Sequence, residues 1–139
     1  MNILFDINVI LDALLDRKPN GRKAALLINA VEESIINGFL SADSITTLFY
    51  LIQKVKNKHL AKQNIELLLE LFEIAPINRP IFQEALEINF SHFEDAVVYQ
   101  SAISINCDGI VTSNVKDYKK SKISIYNPGE LLKALDYKG

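Results

Sequence analysis

The sequence predicts an α/β protein, a three-layer α/β/α sandwich around a central parallel sheet of about five strands. Three observations carry this. Short apolar runs alternate with amphipathic helical stretches from end to end, the pattern of parallel strands joined by helical crossovers. The first run, Asn2 to Asp6, is continuously apolar up to its acid. No repeat, low-complexity tract or Pro/Gly/Ser linker divides the 139 residues, so residues 1–139 read as a single domain with a short polar end after Asp136.

The elements follow in order. Asn2 to Asp6 is the first strand, and Asn8 starts a helical stretch with Val9, Leu11, Leu14 and Leu15 on one side. Lys18-Pro19-Asn20-Gly21 is a turn. Arg22 to Asn37 is a helix with Ala25, Leu26, Ile28, Val31 and Ile35 inward, stopped by Gly38. Phe39 to Ser41 is the second strand, and Asp43 or Ser44 caps a helix that Asn57 ends. Ala61 to Phe72 is a helix on Ile65, Leu68, Leu69 and Phe72, and Ile74 to Ile77 is a third strand. Pro80 starts a helix that runs to about Asn89. Ser91 and Glu94 have capping-box spacing and open a helix through Ile105. Gly109 to Thr112 and Ser124 to Tyr126 are the last strands, and Pro128 starts the final helix.

Composition narrows the function classes. A formal net charge of -2 excludes an overtly basic nucleic-acid binder, so any nucleic acid must meet local basic clusters. The one cysteine, Cys107, rules out an intrachain disulfide and reads as a packed thiol. The start lacks a basic leader region, and no stretch reaches the ~18 apolar residues of a membrane span. The expectation is a soluble cytoplasmic protein.

Topology places the acids. In a parallel α/β sheet the C-terminal ends of strands and the N-termini of crossover helices share one edge, where ligands bind. Asp6 ends the first strand, Glu94 and Asp95 open the helix feeding the fourth, and Asn114 and Asp117 follow the fourth. Pairing of the first and fourth strands brings these five together. Asp43, Ser44, Thr46 and Thr47 lie on the same edge. Clustered carboxylates repel one another until a cation neutralises them. Hard oxygen ligands suit Mg²⁺ or Mn²⁺, which points to phosphodiester or phosphomonoester hydrolysis. His59 and His92 stand in separate contexts, with His92 read as a loop residue.

FDINVILDALLDR at the start, HFEDAVVYQSAISINCDGIVTSNVKDY in the last third and ISIYNPGELL at the end resemble the PIN-domain family. These are metal-dependent ribonucleases that include VapC-type toxins of toxin–antitoxin pairs. The ordered set D-x-N, F-E-D-A and I-V-T-x-N-x-x-D carries the resemblance. It implies strand order 3-2-1-4-5, an RNA substrate, hydrolysis by water, a homodimer and a small antitoxin partner. It implies Asp6 and Asp95 as Mg²⁺ or Mn²⁺ ligands, Asp117 as a further ligand and Glu94 as a possible substitute ligand. It gives Thr112 and Asn114 the task of orienting the site, and Asn8 that of positioning Asp6 or a water. Two departures stand out. Thr46, Thr47 and Leu48 fall where many members carry a Glu, and Ser113 falls where an Arg often sits.

Plainer readings stand beside these. Asp6 can cap a helix, Glu94 can complete a capping box, Asp95 suits any first helical turn, and Asp117 can be a turn acid. Asp12 and Asp16 read as a solvated face. Lys116, Lys119, Lys120 and Lys122 are either a soluble loop or phosphate contacts, the first three being the candidates for RNA. Lys54, Lys56, Lys58 and Lys62 form a second patch, and Tyr118 is read as buried against the sheet. Rival functions are a phosphatase with Asp6 as nucleophile, and an inactive PIN fold that binds RNA or protein.

Overall fold

Asn2–Phe5 forms the first strand, β1. Ile3 and Phe5 are buried on one face and Leu4 on the other, so this strand belongs in mid-sheet with helices on both sides. The computed structural model of residues 1–139 puts it there. β2 (Asn37–Ser41) and β4 (Gly109–Val111) flank β1, with β3 (Glu73–Ala75) outside β2 and β5 (Ser124–Tyr126) outside β4. All pairings are parallel, which gives the order 3-2-1-4-5. Leu4 stands opposite Phe39 on one side and Ile110 on the other.

The helices are α1 (Ile7–Leu14), α2 (Gly21–Glu32), α3 (Ala42–Val55), α4 (Lys58–Leu71), α5 (Arg79–Glu87), α6 (Phe93–Ser104) and α7 (Pro128–Leu135). The first four and α7 cover the face of Ile3, Phe5 and Val111. α6 covers Leu4 and Ile110 through Tyr99 and Ala102, and α5 packs on α6. This is the expected three-layer sandwich. No helix is long and apolar enough to cross a membrane. Cys107 is a free, buried thiol, and burial pushes it up to about 11.

Local differences from the sequence reading have identifiable causes. The buried face of α2 is Ala24, Leu27, Ala30 and Val31, while Ala25 and Ile35 face solvent. α2 packs against α1 and α7, and the phase of that contact puts Ala24 and Ala30 on the buried face beside Leu27 and Val31. α2 stops at Glu32, and Ser34 takes the left-handed turn at φ 60°. Gly38 is therefore no helix stop but part of β2. A Cβ there would lie 2.6 Å from the Phe72 ring and 2.8 Å from Val31. Asn57 begins α4, accepting from the Leu60 N–H at 2.8 Å, rather than only ending α3. Ser41, two residues before Asp43 and three before Ser44, is the residue that precedes α3. The capping box of this chain is Asn127 with Glu130 at the start of α7. At α6 the cap position is His92, which makes no side-chain capping bond, so Ser91 and Glu94 form no box.

Candidate metal centre

The C-terminal edge of the sheet brings together the ends of β1, β2 and β4 and the starts of α1, α3 and α6. A cavity of about 190 Å³ opens there, lined by Asp6, Asn8, Asp43, Glu94, Asp95 and Asp117. Phe5 and Val98 give it an apolar wall.

Asp6 is both cap and cavity acid. Its Oδ1 accepts from the Ile7 N–H at 2.8 Å. Thr112, fully buried just past β4, donates its hydroxyl to Asp6 Oδ2 at 2.8 Å. The Thr112 oxygen in turn accepts from the Asn114 N–H at 3.1 Å. The backbone supports the pair, because the Asp6 N–H donates to the Val111 carbonyl at 2.9 Å. Burial raises the Asp6 carboxyl above its ordinary range, and the bonds from Thr112 and Ile7 oppose that rise. Thr112 is thus the residue that holds Asp6, while Asn8 lines the cavity beside it.

Asp95 is the third residue of α6. Its carboxyl is pushed up to about 6, first by burial, then by the charges of Asp6 and Asp117, with His92 acting the other way. The Tyr118 hydroxyl faces Asp95 Oδ1 at 3.5 Å. Burial, then the charges of Asp6, Asp95 and Asp117, raises that phenol too. Tyr118 is otherwise buried against the sheet, as expected. Asp117 sits in the 3₁₀ turn Val115–Tyr118.

The donor set fits a hard divalent cation. Anionic oxygens from the end of β1, α6 and the 3₁₀ turn share one cavity, and after burial their mutual repulsion adds to the rise of the Asp95 carboxyl. A bound cation reverses that repulsion and favours all the charged forms. Glu94, without a capping role, faces the same cavity.

Sequence reasoning missed two participants, Asp43 in the cavity lining and His92 beside Asp95 and Asp117. Asp43, placed on the edge but not among the ligands, lines the cavity with Thr47, the residue in the stretch where the family's Glu falls. Ser41 donates to Asp43 Oδ1 at 2.7 Å and holds it. His92, read as loop, presents a ligand atom with Asp95 and Asp117 such that all three lie within 4.8 Å of one another. Its position beside the F-E-D motif was the available signal. Asp12 is more than a solvated face. It pairs with Arg17 at 2.9 Å and accepts from Ser113 at 3.2 Å, tying α1 to the loop after β4.

Lys116, Lys119 and Lys120 line a small recess that shares Asp117 with the cavity. The second lysine patch lies elsewhere. Lys54 is eleven residues along α3 from Asp43, about 16 Å at helical rise.

Comparison with known proteins gives the following. A family profile described as PIN domain matches residues 2–116. Ribonuclease VapC1 of Aquifex aeolicus (strain VF5) is 26% identical over 133 residues, spanning 92% of this chain and 91% of that protein. FitAcB from Neisseria gonorrhoeae is similar in structure, with a TM-score of 0.70 at 20% identity over 91% of this chain and 98% of that one. VapBC2 from Rickettsia felis, solved bound to a DNA fragment from their promoter, gives 0.69 at 18% identity, again over 91% and 98%. The two structures share this chain's fold.

Proposed function

Because the chain belongs to the PIN-domain family, we propose that it is a divalent-metal-dependent endoribonuclease and the toxin of a toxin–antitoxin pair. The observation that carries this is the convergence of Asp6, Glu94, Asp95 and Asp117 on one cavity, with Asp95 raised to about 6 by burial and by its acidic neighbours. The similarity to a ribonuclease over nearly the whole of both chains supports it.

Asp6, Asp95 and Asp117 would hold Mg²⁺ or Mn²⁺, with Glu94 as a further oxygen donor. The ion would lower the pKa of water and neutralise charge developing on the phosphoryl oxygens. The chain's own residues do the rest. Thr112 fixes the rotamer of Asp6 through its buried hydroxyl, and Asn114 fixes Thr112 through its N–H. The first turn of α6 stabilises the Asp95 carboxylate by its dipole. Phe5 and Val98 keep one wall dry, which strengthens the electrostatics. Lys116, Lys119 and Lys120 face the phosphates next to the scissile one. A phosphatase reading is disfavoured because both Asp6 oxygens already accept hydrogen bonds from the protein, which suits a positioned ligand better than a free nucleophile.

The deciding experiment is cleavage of an end-labelled total RNA pool with Mn²⁺ or Mg²⁺, and again with EDTA. Discrete metal-dependent products are expected. Intact RNA under all conditions overturns the reading in favour of a binding module. Copurification with a small partner expressed from the adjacent gene tests the toxin assignment, and sedimentation tests the homodimer.

Two narrower results are expected. Thr112→Val, near in shape but without the hydroxyl, should lower the cleavage rate about 10- to 100-fold with secondary structure retained. Unchanged kinetics would remove Thr112 from the positioning of Asp6. Replacing Lys116, Lys119 and Lys120 together by Ala should weaken RNA binding. It should also make the log affinity against log salt slope shallower by about 2, at about 0.7 per single-strand phosphate contact. An unchanged slope would place the RNA elsewhere.

A further inference from the structure

His92 stands at the entry to α6, its carbonyl accepting from the Ala96 N–H at 3.2 Å while its imidazole takes no part in capping the helix. The first turn of α6 therefore fixes where the imidazole starts, and nothing at the helix end uses its nitrogens. One of those nitrogens lies with an oxygen of Asp95 and an oxygen of Asp117 inside a mutual span of 4.8 Å. Around a cation with bonds of about 2.0 to 2.3 Å, neighbouring ligand atoms stand about 3 Å apart and opposite ones about 4.5 Å. The three atoms thus fit one coordination sphere with small rotations of exposed or half-buried side chains. His59, the other histidine, is an exposed residue of α4 and joins no such group.

We propose that His92 is a nitrogen ligand to the cation that Asp95 and Asp117 hold, and that it makes the centre select Mn²⁺ over Mg²⁺. The proposal rests on the metal-dependent reading above and specifies which ion that centre takes. The reason is ligand softness. Mg²⁺ keeps oxygen ligands and several waters in a near-ideal octahedron and gains little from imidazole. Mn²⁺, the first and weakest ion of the first-row transition series, still takes an imidazole nitrogen beside oxygen ligands more readily than Mg²⁺ does, so one nitrogen among carboxylates shifts the preference from Mg²⁺ towards Mn²⁺. A centre built from carboxylates alone would lack that discrimination.

The test is titration of Mn²⁺ and of Mg²⁺ into wild type, His92→Gln and Asp95→Asn. It is joined to pulsed electron paramagnetic resonance of bound Mn²⁺, which detects a coordinated imidazole ¹⁴N. Wild type should bind Mn²⁺ at least about tenfold more tightly than Mg²⁺ and show the nitrogen modulation. His92→Gln should lose about tenfold in Mn²⁺ affinity, keep its Mg²⁺ affinity within about twofold, and lose the modulation. Mn²⁺ binding that is lost in Asp95→Asn but shows no nitrogen modulation in wild type overturns the assignment of His92 and leaves the metal-dependent reading standing. Equal weakening of both ions in His92→Gln also overturns it. Wild type that binds neither ion overturns the proposal together with the reading on which it rests.

Discussion

Asp95→Asn abolishes cleavage and stabilises the metal-free protein. Loss of a residue that only supports a metal ligand costs up to about a hundredfold, so loss of a direct ligand should exceed that in kcat. The fold should persist, because Asn keeps the size of the side chain and the Tyr118 hydroxyl can donate to an amide oxygen as it faces the carboxylate now. The stability gain follows from linkage. Asp95 ionises near the ordinary aspartate value of 3.8 in the unfolded chain and at about 6 in the folded one. Between those values the folded state binds more protons, so this residue's contribution to stability is full below about 3.8 and lost as pH rises through about 6. A shift of that size is worth about 3 kcal/mol for a shielded group, and solvent screening of a half-buried carboxyl reduces it to about 1 kcal/mol. Denaturant unfolding in EDTA should therefore find the variant about 1 kcal/mol more stable than wild type at pH 7.5, and the difference should vanish near pH 4. Wild-type cleavage by the variant, or a variant less stable at pH 7.5, would remove Asp95 from the centre.

Phe5→Ala should cost about 3 to 5 kcal/mol of stability, against a total of about 5 to 15 for a domain. Phe5 is essentially fully buried on the central strand. Its ring meets Phe72 edge to face, with centroids 5.1 Å apart and planes at 81°. Truncation leaves a void where β1, α4 and the cavity wall meet, and the sheet cannot close it without moving β1. Phe5→Leu, which keeps most of the volume, should cost about 1.5 kcal/mol or less. Urea titrations of both variants give the comparison. A loss near 1 kcal/mol for Phe5→Ala would mean that the site collapses freely and that the wall beside Asp6 is not rigid.

Element type was legible along nearly the whole chain, because apolar periodicity and turn residues act over a few positions. Boundaries and faces were less so. α2 turned Ala24, Leu27, Ala30 and Val31 inward and left Ala25 outside, because its packing against α1 and α7 sets the phase of the buried stripe. Ser91 and Glu94 had the spacing of a capping box without forming one, and Asn127 with Glu130 formed one. Spacing permits that reciprocal bond, but the path of the chain into the helix decides whether it is made. Glu94 is consequently turned to the cavity.

The amino-acid sequence by itself determined the alternation of strands and helices, and with it the edge on which Asp6, Asp95 and Asp117 stand. Both follow from local chemistry: which residues bury, which break, and which end an element. Tertiary structure alone decided which side chains on that edge meet. Asp6 is held by Thr112, 106 residues away, because parallel pairing sets Phe5 beside Val111. His92 joins Asp95 and Asp117 because α6 and the 3₁₀ turn converge on one cavity. Such meetings depend on strand register, crossover path and rotamer, and each is settled only when the packed core excludes its alternatives.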